Sequence, residues 1–153
     1  MIIISPYAKQ LRTDGKHPKD YPFWDKLVAK IIREFPNQKI IQVGVNDEKQ
    51  IPLITDFRKN MPLTELAKLV NECDTWISVD SFFQHFCWDL KKPGIVIFSQ
   101  SDPLIFGHSE NINLLKSRKY LREHQFWLWE QTKFIVDSFV EPQKVIDALK
   151  QFN

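Results

Sequence analysis

Thr75-Trp76-Ile77-Ser78-Val79-Asp80-Ser81-Phe82-Phe83-Gln84-His85 is the stretch on which the reading of this 153-residue chain turns. Its first half is a β-branched and aromatic run of strand character. The run ends at Asp80-Ser81, and an apolar helical pattern over Ser81–Leu90 follows at once. The stretch therefore predicts a strand, a tight turn, and a helix with Ser81 in its first turn and His85 one turn on. Polar side chains and unpaired backbone N–H groups at such turns are where α/β domains bind anions and sugars. A similar turn, Phe98-Ser99-Gln100-Ser101-Asp102-Pro103, ends the next strand. Two such turns on consecutive strands lie side by side at one edge of a sheet.

Working outward, the same alternation recurs. Ile2–Ser5 is a short apolar strand, and the polar segment from Pro6 to Lys19, with Gly15 and Pro18, is a loop. Asp20 is placed to cap a helix whose first turn holds Pro22 and whose apolar positions are Phe23, Leu27, Ile31 and Phe35. Lys39–Val45 reads as a strand covered on both faces, with a turn at Gly44–Asp47. Ile54–Phe57 reads as a short strand. Leu63–Cys73 reads as a helix that Thr64 is placed to cap. Ile95–Phe98 and Ile112–Leu115 are further strands. The aromatic segment Gln125–Val140 reads as helix, and Pro142 opens a last helix carrying Val145, Ile146, Leu149 and Phe152. Strands alternating with helices predict an α/β fold: a three-layer, Rossmann-like parallel sheet in a single domain over residues 1–153.

Composition sets further bounds. Hydrophobic residues make up 43% of the chain, enough to bury a core without disulfides or metals. A net charge of +2 is too balanced for nucleic-acid binding to be predicted. The local basic run Lys116, Arg118, Lys119, Arg122 reads as a solvated face. Cys73 and Cys87 lie in apolar helical contexts and read as reduced core thiols. Met1-Ile2-Ile3-Ile4 lacks the basic region and length of a signal peptide, and no apolar run approaches membrane-spanning length. These features predict a soluble, cytoplasmic protein.

The loops after the strands hold the candidate chemistry. Asp80 can accept hydrogen bonds from sugar hydroxyls, or it can cap the helix together with Ser81. The N–H groups after Ser81 point toward where a phosphate would sit. His85 shares a helix face with Ser81. Lys16, after Gly15 and before His17-Pro18, is either an exposed lysine or a point charge for a diphosphate. Asp47 or Glu48 can grip ribose hydroxyls, and spacing does not choose between them. The histidines His17, His85, His108 and His124 show no paired ligand spacing, so neither metal nor cofactor is expected. The four glycines are isolated, so neither a P-loop nor a G-x-G-x-x-G fingerprint is present, and no G-x-S-x-G elbow occurs.

In their order, these loops resemble the C-terminal domain of glycosyltransferase family 9, the heptosyltransferases, which are two-domain GT-B enzymes using ADP-heptose. Ser5 with Lys16-His17-Pro18 resembles the family's opening strand and Lys-x-Pro segment. Val43-Gly44 with Glu48 is similar to its second strand and ribose-binding acid. Met61-Pro62-Leu63-Thr64-Glu65-Leu66 resembles its tSLxEL helix start. Asp80-Ser81 with His85 is similar to its D-S/T-G-x-x-H signature. Lys92-Pro93-Gly94-Ile95-Val96-Ile97-Phe98 with Ser101-Asp102-Pro103 resembles its kPvvalFGpTdP segment. The family's glycine after D-S/T is Phe82 here, and the glycine of FGpT is Ser99.

The resemblance implies a donor site in which Ser5 and Lys16 meet phosphates, Glu48 the ribose, and Asp80 the sugar. The Ser81 backbone would meet the diphosphate, with His85 a supporting polar group. It also implies half of a GT-B active site, since the acceptor site and general base belong to the other domain. The expected function is a glycosyltransferase domain that binds a nucleotide diphosphate sugar, with an ADP-sugar favoured. It would be completed by an acceptor-domain subunit, by self-association, or by the remainder of a longer enzyme. The aromatic segment Phe126–Phe139 is a candidate interface for that, or packs back on the core. The alternative is a non-catalytic nucleotide-sugar-binding or scaffold protein that kept the fold and lost the activity.

Overall fold

The computed structural model describes residues 1–13 and 15–152. Its centre is a six-stranded sheet: β1 (Ile2–Ser5), β2 (Ile40–Gly44), β3 (Asp56–Lys59), β4 (Thr75–Val79), β5 (Ile95–Ile97) and β6 (Ile112–Leu114). Every pairing is parallel, and the order across the sheet is β3-β2-β1-β4-β5-β6. The chain builds outward from β1 to β3, then crosses back to lay β4 on the other side of β1. That reversal between β1 and β4 leaves a crevice at the carboxyl ends of the strands.

The helices are α1 (Trp24–Glu34), α2 (Leu63–Glu72), α3 (Phe82–Asp89), the one-turn α4 (Pro103–Phe106) and α5 (Pro142–Leu149). Side chains alternate across the strands, so the sheet feeds two cores. Ile2, Ile4, Ile77, Val79, Ile95 and Ile97 pack with α1 and α5 on one face. Ile3, Ile41, Val43, Trp76 and Val96 pack with α2 and α3 on the other. This is the expected three-layer α/β arrangement. The α3 face is closely fitted: a Cβ on Gly94 would fall 2.2 Å from the Trp76 indole, whose Nε1–H donates to the Lys92 carbonyl at 2.9 Å. Cys73 and Cys87 are both buried and unpaired, as the sequence predicts.

Several local expectations are corrected. The third strand runs from Asp56 to Lys59, two residues beyond the apolar run that suggested it. Asp20 does not cap α1; its carboxylate accepts from the Ala8 N–H at 2.9 Å, and the residue before the helix is Phe23. Thr64 lies inside α2, which Pro62 precedes. Gln125–Val140 is not a helix but two 3₁₀ turns, Trp129–Gln131 and Val136–Ser138, joined by extended chain. Its aromatic residues lack a helical period, and their anchors lie in different places: Phe139 in the core beside Tyr21, Trp129 under Arg122.

The basic run is likewise not a uniform solvated face. The Arg118 guanidinium makes a two-pronged ion pair with Asp102 at 3.0 and 2.7 Å. Arg122 lies 3.4 Å over the Trp129 ring and donates to the Leu128 carbonyl at 3.2 Å and the Thr132 hydroxyl at 2.8 Å. Among the described residues, no helix is long and apolar enough to cross a membrane.

Candidate functional site

The carboxyl ends of β1 to β4 open onto a cleft of about 750 Å³, lined among others by Ser5, Tyr7, Asp20, Glu48, Arg58 and Ser81. Ser5 ends β1 and Ser81 precedes α3, so the two stand on either side of the point where strand order reverses. The Ser81 hydroxyl accepts from the Phe83 N–H at 3.4 Å as the N-cap of α3. Its other backbone donors stay at the positive end of the helix, facing the cleft mouth.

Glu48 is held in the cleft by its surroundings. Gln42 is the polar residue of an otherwise apolar β2 and is fully buried. Its amide donates to the Lys49 carbonyl at 2.8 Å and accepts from the Ile51 N–H at 2.8 Å. These bonds fasten the loop that carries Glu48. The Glu48 carboxylate folds back onto Gly44, where an added Cβ would lie 1.9 Å from Oε2. Gly44 is thus needed for the close approach of that carboxylate, not for a special backbone angle. Burial, opposed by the Val45 backbone and reinforced by the charge of Asp20, raises the Glu48 carboxyl from 4.5 to about 7. Burial also raises Asp20 from 3.8 to about 6, against the Ala8 hydrogen bond and the charge of Lys16. Burial and then the two acids raise the Tyr7 phenol. The cleft therefore holds two carboxyl groups that are partly protonated near neutral pH, and a phenol that stays neutral.

The structure brings Ser5, Glu48 and Ser81 together in the cleft. It places the other three predicted residues differently. Asp80 is buried at the carboxyl end of β4; its Oδ2 lies 2.9 Å from Lys19 Nζ, and its Oδ1 accepts from Gln84 Nε2 at 2.6 Å. Lys16 is exposed, with its ammonium 4.4 Å from the centre of the Phe134 ring. His85 does not line the cleft: its Nδ1 lies 2.8 Å from His108 Nε2, and His108 stacks on Trp88. Burial, opposed by the charge of Asp80, lowers the His85 pKa. Among the described residues, no three His, Cys, Asp or Glu side chains gather as a metal site.

Two residues of this arrangement were not singled out for it in the sequence. Asp20 carried the signal of a helix cap, and its place in the cleft follows from the path of the Pro6–Lys19 loop. Lys19 carried no signal, because its partner is sixty-one positions away. Lys19 also lies 4.6 Å from the Trp129 ring, so the aromatic tail closes over the Asp80 pair.

Comparison with known proteins follows this geometry. The family model described as glycosyltransferase family 9 (heptosyltransferase) matches residues 37–126, more than half of the chain. No curated protein matches the chain. Among solved structures, the dodecameric iron-containing heptosyltransferase TibC of enterotoxigenic E. coli, in complex with ADP-D-beta-D-heptose, superposes with a TM-score of 0.69 at 13% identity. A family 9 glycosyl transferase from Veillonella parvula gives 0.67 at 17%. The ADP-heptose lipopolysaccharide heptosyltransferase II of E. coli gives 0.66 at 15%. Each match covers 99% of this chain but only 44–45% of the other, so the chain spans a little under half the length of the structures it resembles. With the family model spanning β2 through β6 and the solved structures sharing the whole fold, the chain belongs to glycosyltransferase family 9.

Proposed function

We propose that the chain binds a nucleotide diphosphate sugar in the carboxyl-edge cleft, as the donor half of a heptosyltransferase-like enzyme. The observation that carries this reading is the convergence of Ser5, Glu48 and the α3 N-terminus at Ser81 where strand order reverses. An ionised Glu48 accepts from the ribose hydroxyls. Ser5 and the N–H groups behind Ser81 take the diphosphate. Lys16 reaches the phosphates by leaving the Phe134 ring. The likeness to TibC, solved with ADP-D-beta-D-heptose, favours an ADP-sugar.

Transfer would break the bond between the anomeric carbon and the diphosphate oxygen and form one to an acceptor hydroxyl. The proton would leave to a base outside this chain. Lys16 and the α3 dipole would stabilise the departing diphosphate without a metal. Acceptor site and base come from a second domain, a separate subunit or a second copy. The cytoplasm is the compartment that fits, given two unpaired thiols.

A second reading has its own observations. The group that the family resemblance assigns to the sugar is occupied, Asp80 by Lys19 and Gln84, and so is the supporting His85, by His108. Phe82 stands 63% exposed at the cleft where the family has glycine. A domain that binds the nucleotide without transferring its sugar accommodates these features.

Calorimetric titration with ADP-, UDP- and GDP-sugars tests both readings. One nucleotide series should bind, with affinity falling about tenfold in Glu48→Gln, the scale of a lost charge-assisted hydrogen bond. Binding by ADP alone as tight as by the ADP-sugar favours the second reading. No binding by any nucleotide sugar, alone or with an added acceptor-domain protein, rules out the first.

A further inference from the structure

Beside the cleft, on the same carboxyl edge of the sheet, lies an apolar patch that the donor site does not use. Leu104 and Phe126 are each 82% exposed, more than any other large apolar side chain among the described residues. Trp127, Leu128 and Ile105 are exposed with them. Phe126 packs edge-on against Phe106 at 5.4 Å, so the turn at 126–128 and helix α4 present one surface. The turn is held firmly. Gln125 Oε1 accepts from the Asp102 N–H at 2.8 Å, and its Nε2 donates to the Gln100 carbonyl at 2.9 Å. Arg122 donates to the carbonyls of Gln125 and Leu128. The patch is thus an outward-facing feature of a braced loop.

The chain on either side of the turn is basic. Lys116, Lys119 and Lys133 are exposed, and Arg118 is 55% exposed while its guanidinium holds Asp102. Glu123 is the exposed acid in the turn. Five apolar side chains fall short of the roughly 800 Å² that each partner commonly buries in a stable protein complex. A second copy would bring its own lysines against these. A Phe-Trp-Leu tip flanked in the chain by exposed lysines instead matches a bilayer surface, where aromatic rings settle at headgroup depth and lysines meet lipid phosphates.

We infer that this patch docks the chain on an anionic membrane surface. Leu104, Phe126, Trp127 and Leu128 enter the headgroup region, and Lys116, Lys119 and Lys133 pair with lipid phosphates. The cleft, on the same edge, is then held at the lipid surface. This inference does not depend on which nucleotide the cleft binds.

Co-sedimentation with vesicles tests it. The chain should pellet with phosphatidylcholine vesicles containing phosphatidylglycerol and stay in solution with phosphatidylcholine alone. The double variant Phe126→Ser/Leu128→Ser alters only exposed side chains and should keep the wild-type melting temperature. It should lower the bound fraction at least about tenfold. Lys116→Gln and Lys119→Gln should each weaken binding about fivefold. Absence of binding to the anionic vesicles at low ionic strength overturns the inference. So does binding that the double variant leaves unchanged. Self-association that the double variant abolishes, seen by light scattering without vesicle binding, overturns it in favour of a protein contact.

Discussion

Asp80 shows how much of this site depends on single side chains. A carboxylate this deeply buried is stable only while Lys19 and Gln84 meet it. Asp80→Ala would strand the Lys19 ammonium, itself only 17% exposed, and should cost about 3 kcal/mol or more in urea denaturation. Asp80→Asn keeps the Gln84 contact and should cost less. Glu48 yields a pH prediction. Its folded pKa of about 7 lies above its ordinary 4.5, so the native state holds the proton more tightly. The stability it contributes is present at low pH and lost as pH rises from about 4.5 to 7. His17 runs the other way: burial, and then the charge of Lys19, lowers it from 6.5 to about 4, and its Nδ1 accepts from the Lys19 N–H. The stability it contributes is lost as pH falls from 6.5 toward 4. Wild-type stability alone therefore mixes opposed slopes, and the difference between proteins is the cleaner quantity. Glu48→Gln should gain on wild type by about 1–2 kcal/mol between those limits, discounted for the solvent that reaches the half-buried group. A constant difference across the range would show that Glu48 titrates normally.

At the scale of elements, the segment from Tyr120 to Phe134 has little regular structure and is braced chiefly by the side chains of Arg122 and Gln125. Arg122 stacks on Trp129 and donates to three backbone carbonyls and to Thr132. Arg122→Ala should speed proteolysis and amide exchange across residues 123–132 while leaving β1 and β4 protected, because none of these bonds reaches the sheet core. Uniformly increased exchange through the sheet would contradict that. The β2 turn is a second case. Gly44→Ala should fold, since the atom its methyl meets ends a flexible side chain. It should displace the Glu48 carboxylate and weaken donor binding as much as Glu48→Gln does. Asp20, Thr64 and Gln125–Val140 are where the local signals misled. A capping residue type marks a helix start only if the chain turns there, and the turn is set by what the loop packs against. An aromatic run without a 3.6-residue period holds no instruction for a helix.

The whole molecule is a sheet with apolar side chains on both faces, so each face needs a helical cover. Helix α5 supplies part of it late in the chain: Val145, Ile146 and Leu149 are fully buried against α1 and the sheet. Leu149→Ala should cost about 2–4 kcal/mol, whereas Leu63→Ala, at a residue 57% exposed, should change stability little when both are followed by denaturant unfolding. The sequence by itself determined the class of fold, the number of strands and the strand-end loops that line the cleft. Strand runs, turn residues and helical spacing are local, and Ser5 and Ser81 sit at strand ends that can be read one at a time, whereas spacing left Asp47 and Glu48 as equal candidates. Only the tertiary structure decided that Lys19 closes on Asp80, that Gln42 and Gly44 seat Glu48, and that Lys16 rests on Phe134. Those choices depend on contacts between distant positions, and neither period nor propensity encodes which side chain will arrive first at a buried charge.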